Sequence, residues 1–208
     1  MIALDLLLEP DAATRARAVR TNAALRADHP AGFAFDAFHR PHVTLAQRYV
    51  YERDLPALMR AIAPVAGAHN PPALSLEVTG VHVRIEGDTG SASWRIAVTP
   101  ALRALADDCL AVAQALAMAG GTADAFVPNG DGTPIRASTV RYVETFVPNH
   151  SGDNYAPHLT LGVARAAYLR ELERAPFESF AFSPAAIAVY QLGDHGTARR
   201  CLWRWPAA

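Results

Sequence analysis

Lysine is absent from these 208 residues, and all nineteen basic side chains are arginines. That removes the P-loop lysine, the Schiff-base lysine and the lysine–nucleotide adduct. Arginine still forks onto phosphate or carboxylate. An excess of charge is also missing: the formal net charge is −1, so an anionic substrate needs a local basic pocket rather than a global field. Cysteine is nearly absent. Cys109 and Cys201 stand far apart in no paired motif, which excludes a disulfide framework and a cysteine zinc site and reads as two buried thiols in a reducing compartment. No apolar run reaches the ~20 residues of a membrane span. The opening Met1-Ile2-Ala3-Leu4-Asp5 has no basic leader and carries an acid inside its apolar run. Those absences lead to the expectation of a cytoplasmic protein with no membrane contact and no obligate protein partner. Without heptads, a monomer is the plain expectation.

What is present is a globular composition, 51% hydrophobic and 19% charged. Apolar runs and breakers predict strands over 2–8, 40–46, 74–85, 93–99, 156–163, 177–182, 186–192 and 198–205. Helices are expected over 11–27, 54–65, 100–118 and 166–174. Segment 124–154 is harder to read: Ser138 to Phe146 fits strand and helix equally. Helices mixed with hairpin-linked strands give an α+β class with largely antiparallel sheets. No low-complexity linker cuts the chain, so residues 1–208 form one domain.

One pentapeptide recurs. Pro41-His42-Val43-Thr44-Leu45 returns as Pro157-His158-Leu159-Thr160-Leu161, each followed by a small residue and then a helix. The repeat implies two related lobes. In a strand, alternation puts His42 and Thr44 on one face and Val43 and Leu45 on the other, with the same split for His158 and Thr160. Two such strands brought together make a cleft with two imidazoles and two hydroxyls. One neutral and one protonated imidazole supply a general base and a general acid on opposite sides of one phosphorus. The hydroxyls can donate to non-bridging oxygens as charge builds. Neither metal nor cofactor is required.

At these residues the sequence resembles the two-histidine phosphoesterase superfamily, which is defined by paired His-x-Thr/Ser motifs. It is most similar to bacterial members labelled as the 2′-5′ RNA ligase family. The resemblance implies a bilobal, pseudo-twofold fold with the active cleft between lobes. It further implies opening of 2′,3′-cyclic phosphates or cleavage of 2′-5′ linkages in a small nucleotide or RNA end. By motif position, His42 and His158 become the acid–base pair and Thr44 and Thr160 the phosphate holders. Ligation would be the reverse reaction, and ~55 M water with no coupled energy source favours hydrolysis. Three neighbours are candidate substrate contacts: Arg40, which shares face parity with His42; Gln47, just past the first motif; and Tyr155, an aromatic able to stack on a base.

Other readings compete. Asp88-Thr89-Gly90-Ser91 matches the aspartic-protease signature, but Glu86-Gly87 before it favours a turn. His39 and His42, with Asp36, suggest a metal cluster, although a strand would turn 39 and 42 to opposite faces. His29, His69, His82, His150 and His195 stand singly and read as solvated. A non-catalytic module binding RNA ends or nucleotides in the same cleft is the alternative to an enzyme.

Overall fold

The computed structural model describes residues 1–36 and 38–207. Its first sheet is built on β1 (Ile2–Pro10), an almost wholly buried strand. Ile2, Leu4, Leu6 and Leu8 enter the main core, while Ala3 and Leu7 fill smaller apolar clusters on the other face. Burial on both faces explains why β1 reads as a continuous apolar run. Asp11 then starts α1 (Ala12–Asp28) by accepting from Thr14 N at 2.7 Å, a cap worth about 1 kcal/mol. β2 (Val43–Val50) pairs antiparallel with β1.

The next helix, α2 (Leu55–His69), runs past its expected end at Val65 and contains Pro64. Leu58, Ile62 and Ala66 keep its buried stripe in step through the proline. It stops only where Asn70 turns left-handed at φ 44°. β3 (Leu76–Glu86) and β4 (Thr89–Ile96) form the expected hairpin, with a turn of only Gly87-Asp88. Gly87 supplies the positive φ of 65° that such a two-residue turn requires. Asp88 is an exposed turn residue and Thr89-Gly90 already belong to β4, so the aspartic-protease reading falls away.

α3 (Pro100–Gln114) is shorter than expected, because 117–118 leave it as β5 (Ala117–Met118) and pair with the otherwise open side of β2. The ambiguous stretch is helical: α4 (Ala137–Glu144) and α5 (Phe146–His150). There follow β6 (His158–Arg165), α6 (Ala166–Arg174), β7 (Phe180–Phe182), β8 (Pro184–Leu192) and β9 (Ala198–Trp205).

The strands make two antiparallel sheets, ordered β5-β2-β1-β8-β9 and β6-β4-β3-β7. Helices α2 and α3 lie against the first sheet's elements, and α1 and α6 against the second. The α+β architecture with helix-flanked antiparallel sheets is therefore as the sequence suggested. β6 is an edge strand of the second sheet. Its open edge is covered by α1: Asn22 donates to Leu161 O at 2.8 Å and Asp28 accepts from Arg165 N at 2.7 Å. Covering of this kind blunts an edge against pairing with another chain. The thiols also differ from expectation. Cys109 is buried, whereas Cys201 is exposed on β9, the outer strand of its sheet.

No helix among the described residues is long and apolar enough to cross a membrane.

Candidate active site

Both motifs share two local devices. Each begins with a residue, a proline and then the histidine, and in each the histidine Nδ1 turns back to the carbonyl two residues earlier. His42 Nδ1 lies 2.7 Å from Arg40 O and His158 Nδ1 2.9 Å from Ala156 O. A carbonyl can only accept, so Nδ1 carries the proton and the neutral ring presents Nε2 as a free base. Proline disfavours helix in the residue before it, which helps keep the residue that supplies that carbonyl extended.

The second device is a bulge. β2 pairs Thr44 with Leu7 and Ala46 with Leu6, skipping Leu45. β6 pairs Thr160 with Ser93 and Gly162 with Ala92, skipping Leu161. In both strands the extra residue is the leucine that closes the motif, and such bulges bend a strand beside a working site. Gly162 has φ 156° and lies where a Cβ would press on Asn22 Nδ2 at 2.8 Å, which explains the glycine in the second copy.

The two strands meet. Tyr155 donates its hydroxyl to Thr44 O at 3.3 Å, linking the segment before the second motif to the first. Thr44 and His158 line one pocket, whose remaining walls include the rings of Tyr142, Phe146, His150 and Tyr155. His42 feels this closeness: burial pulls its pKa below the ordinary 6.5, opposed by the Arg40 carbonyl, and the His158 charge lowers it further. Its side chain keeps 16% of its surface exposed, so solvent still reaches it. His158 is exposed, opposite Arg95 of β4. Thr160 sits opposite Ser93, half-buried.

Asp5, which sequence reasoning used only as an argument against a leader, lies beside the first motif. Its Oδ2 accepts from Thr44 Oγ1 at 2.8 Å and Gln47 Nε2 at 3.0 Å, and lies 3.7 Å from His42 Nε2. Burial raises its pKa from an ordinary 3.8 to about 8, against the pull of the Thr44 and Gln47 bonds. A carboxyl whose folded pKa is raised favours the fold most below its unfolded pKa, and that contribution is lost as pH rises through the folded value. Asp5→Asn should therefore match the wild type in denaturant midpoint near pH 4 and exceed it progressively up to about pH 8. Parallel midpoints across that range would contradict a neutral Asp5.

The other candidates are spread around this centre. Gln47 is buried, and its amide serves Asp5. Tyr155 is also buried and lines the pocket. Arg40 is exposed, and its bond to the motif comes from its backbone carbonyl. The metal reading of Asp36, His39 and His42 dissolves: His39 Nδ1 meets Asp36 at 3.2 Å and its Nε2 faces Arg199 Nη1 at 3.3 Å. A guanidinium donor on that nitrogen takes the lone pair a metal would need. Among the described residues no group of three or more His, Cys, Asp or Glu could hold a metal ion.

Three histidines read as solvated have partners, among them His195, whose Nε2 lies 3.7 Å from Asp194 Oδ2. His150 stacks on Tyr142 with centroids 4.2 Å apart and lines the pocket, its pKa lowered by burial and then by the charges of His158 and Arg84. His69 bonds Asp108 at 2.7 Å.

No family model matches the sequence, and no curated protein does. Among solved structures, the crystal structure of TT0787 of Thermus thermophilus matches with a TM-score of 0.51 and 17% identity, covering 98% of this chain and 96% of that one. A likeness at that identity is one of fold, and it extends over the whole chain.

Proposed function

We propose that the protein is a metal-independent phosphodiesterase. It would open 2′,3′-cyclic phosphates or cleave 2′-5′ linkages in nucleotides or RNA ends. The observation that carries this reading is the doubled device: two histidines, each locked by a carbonyl two residues back so that Nε2 is free, one in each motif, with His158 lining the same pocket as Thr44. The paired His-x-Thr pattern is also what the two-histidine phosphoesterases have.

The electrostatics divide the roles. Burial and the nearby His158 charge favour neutral His42, which suits it to take the proton of the attacking water. His158 is left to give a proton to the leaving ribose oxygen. Thr44 and Thr160 flank the imidazoles and would donate to the non-bridging oxygens. The rings of Tyr142 and His150 offer a wall for the base of the substrate.

The test is turnover. Incubation with 2′,3′-cyclic nucleotides and with oligonucleotides carrying 2′,3′-cyclic ends or 2′-5′ bonds should yield phosphomonoesters, and the rate should survive exhaustive chelation. Saturable binding of RNA ends without product would select the non-catalytic alternative. Loss of activity in EDTA, restored by one divalent ion, would overturn the metal-independent mechanism.

A further inference from the structure

Among the described residues Asp5 is the one acidic side chain with no exposed surface at all, and it sits at the proposed phosphodiester site. We propose that Asp5 is a positioning residue of that site, working as a neutral carboxylic acid whose O–H donates to Thr44 Oγ and leaves the threonine proton for a phosphate oxygen. The role in turnover rests on the phosphodiesterase reading; the protonation state does not.

The partners of Asp5 argue for the neutral form. An ionised carboxylate enclosed by protein ordinarily takes a cation or several donors. Here the bonds come from two neutral groups, Thr44 and Gln47, both to Oδ2. Oδ1 is buried without any partner. Among the described residues no arginine bonds or pairs with Asp5. The groups that face it are His42 just before β2, Thr44 and Gln47 from β2, Tyr190 directly opposite on β8, and the phenols of Tyr142 and Tyr155, whose pKa values its charge would raise. His42 is the only one of these that can carry a positive charge.

A hydroxyl has one proton to give. With Asp5 ionised, Thr44 spends that proton on Asp5 at 2.8 Å, and a second negative charge stands where a phosphodiester anion must bind. With Asp5 neutral, the direction of the bond reverses, the threonine proton is free and the charge is gone.

The rival role, a carboxylate that orients the imidazole, does not fit. His42 is already oriented through Nδ1 by Arg40 O at 2.7 Å, while Asp5 approaches Nε2, the nitrogen that must face substrate, at 3.7 Å. That separation is too long for a hydrogen bond.

Asp5→Asn provides the test, because an amide can donate to Thr44 but cannot ionise. The variant should keep kcat within about threefold at pH 7 and lose only the part of the alkaline fall that Asp5 adds as pH passes about 8, the limb due to the His158 proton remaining. In the unliganded wild type, the carboxyl carbon of Asp5, followed by 13C NMR, should titrate far above the ordinary carboxylate range. A loss of ~100-fold or more in Asp5→Asn at pH 7 would show that an ionised Asp5 is required and would overturn the proposal. An unchanged alkaline limb would overturn it too, reducing Asp5 to packing. A wild type inactive on every substrate overturns the phosphodiesterase reading and, with it, the role in turnover. An Asp5 carboxyl found already ionised at about pH 6 overturns the Asp5 proposal alone.

Discussion

Replacing His42 or His158 with alanine should lower the phosphodiesterase rate by roughly 10²–10⁴-fold, the usual weight of one acid–base group. The double variant should be little slower than the worse single one, because the two imidazoles act in one step and removing either disables it. Wild-type kcat/KM should trace a bell against pH. Neutral His42 is needed as base, and burial has lowered its pKa, so the acid limb should fall below the ordinary 6.5. His42→Ala should erase that limb. Neither change should melt the fold: His158 is exposed and gives up one bond to Ala156 O, and His42 one to Arg40 O. Thr44→Ala and Thr160→Ala should cost less, up to ~10²–10³ if each hydroxyl acts as an oxyanion donor. A His42→Ala protein that unfolds readily, yet has wild-type specific activity in its folded fraction, would make that histidine structural and defeat the mechanism.

Asn22→Leu should be the most destabilising single change near the site, although Asn22 touches neither motif histidine. Its buried amide donates to Phe33 O at 3.0 Å and Leu161 O at 2.8 Å, and its Oδ1 accepts from Phe35 N at 3.2 Å. Leucine has a similar volume and can make none of these bonds. Each backbone group left buried and unpaired costs ~1–3 kcal/mol. A total of about 2–5 kcal/mol should lower Tm by ~5–15 °C for a chain of this length. Leu161 is the bulged residue between Thr160 and Gly162, so the folded variant should also bind substrate more weakly, read as a raised KM. A melting temperature within about 2 °C of wild type would show that β6 does not depend on this clamp.

The elements differ in how far they could be read in advance. Asp11 before an apolar-periodic stretch is a cap signal with a local cause, and it caps α1 as expected. Helix 166–174 and strand 198–205 also lie where their patterns put them. Ser138 to Phe146 resisted because Val140, Tyr142 and Glu144 alternate while Thr139, Val143 and Phe146 recur at helical spacing. Packing chose the helix: Tyr49 on β2 donates to Val140 O at 2.8 Å, and Thr139 and Val143 turn inward. His150 looked solitary because its stacking partner lies eight residues back on another helix.

Local physics in the sequence determined the paired His-x-Thr strands, the alternation that separates their polar and apolar sides, the proline before each histidine and the α+β class. These follow from period, turn chemistry and residue type within a few positions of each other. Tertiary structure alone decided that β1 joins β2 and β8 while β4 joins β6 and β3, which sets one motif on each sheet. It alone decided that Asp5 stands beside Thr44, 39 residues away, and that Asn22 clamps Leu161 across 139 residues. A lone acid in an apolar strand, or a lone amide on a helix, has the same local pattern whether it faces solvent or another strand. Its chemistry is set by desolvation and by partners that only the closed fold supplies.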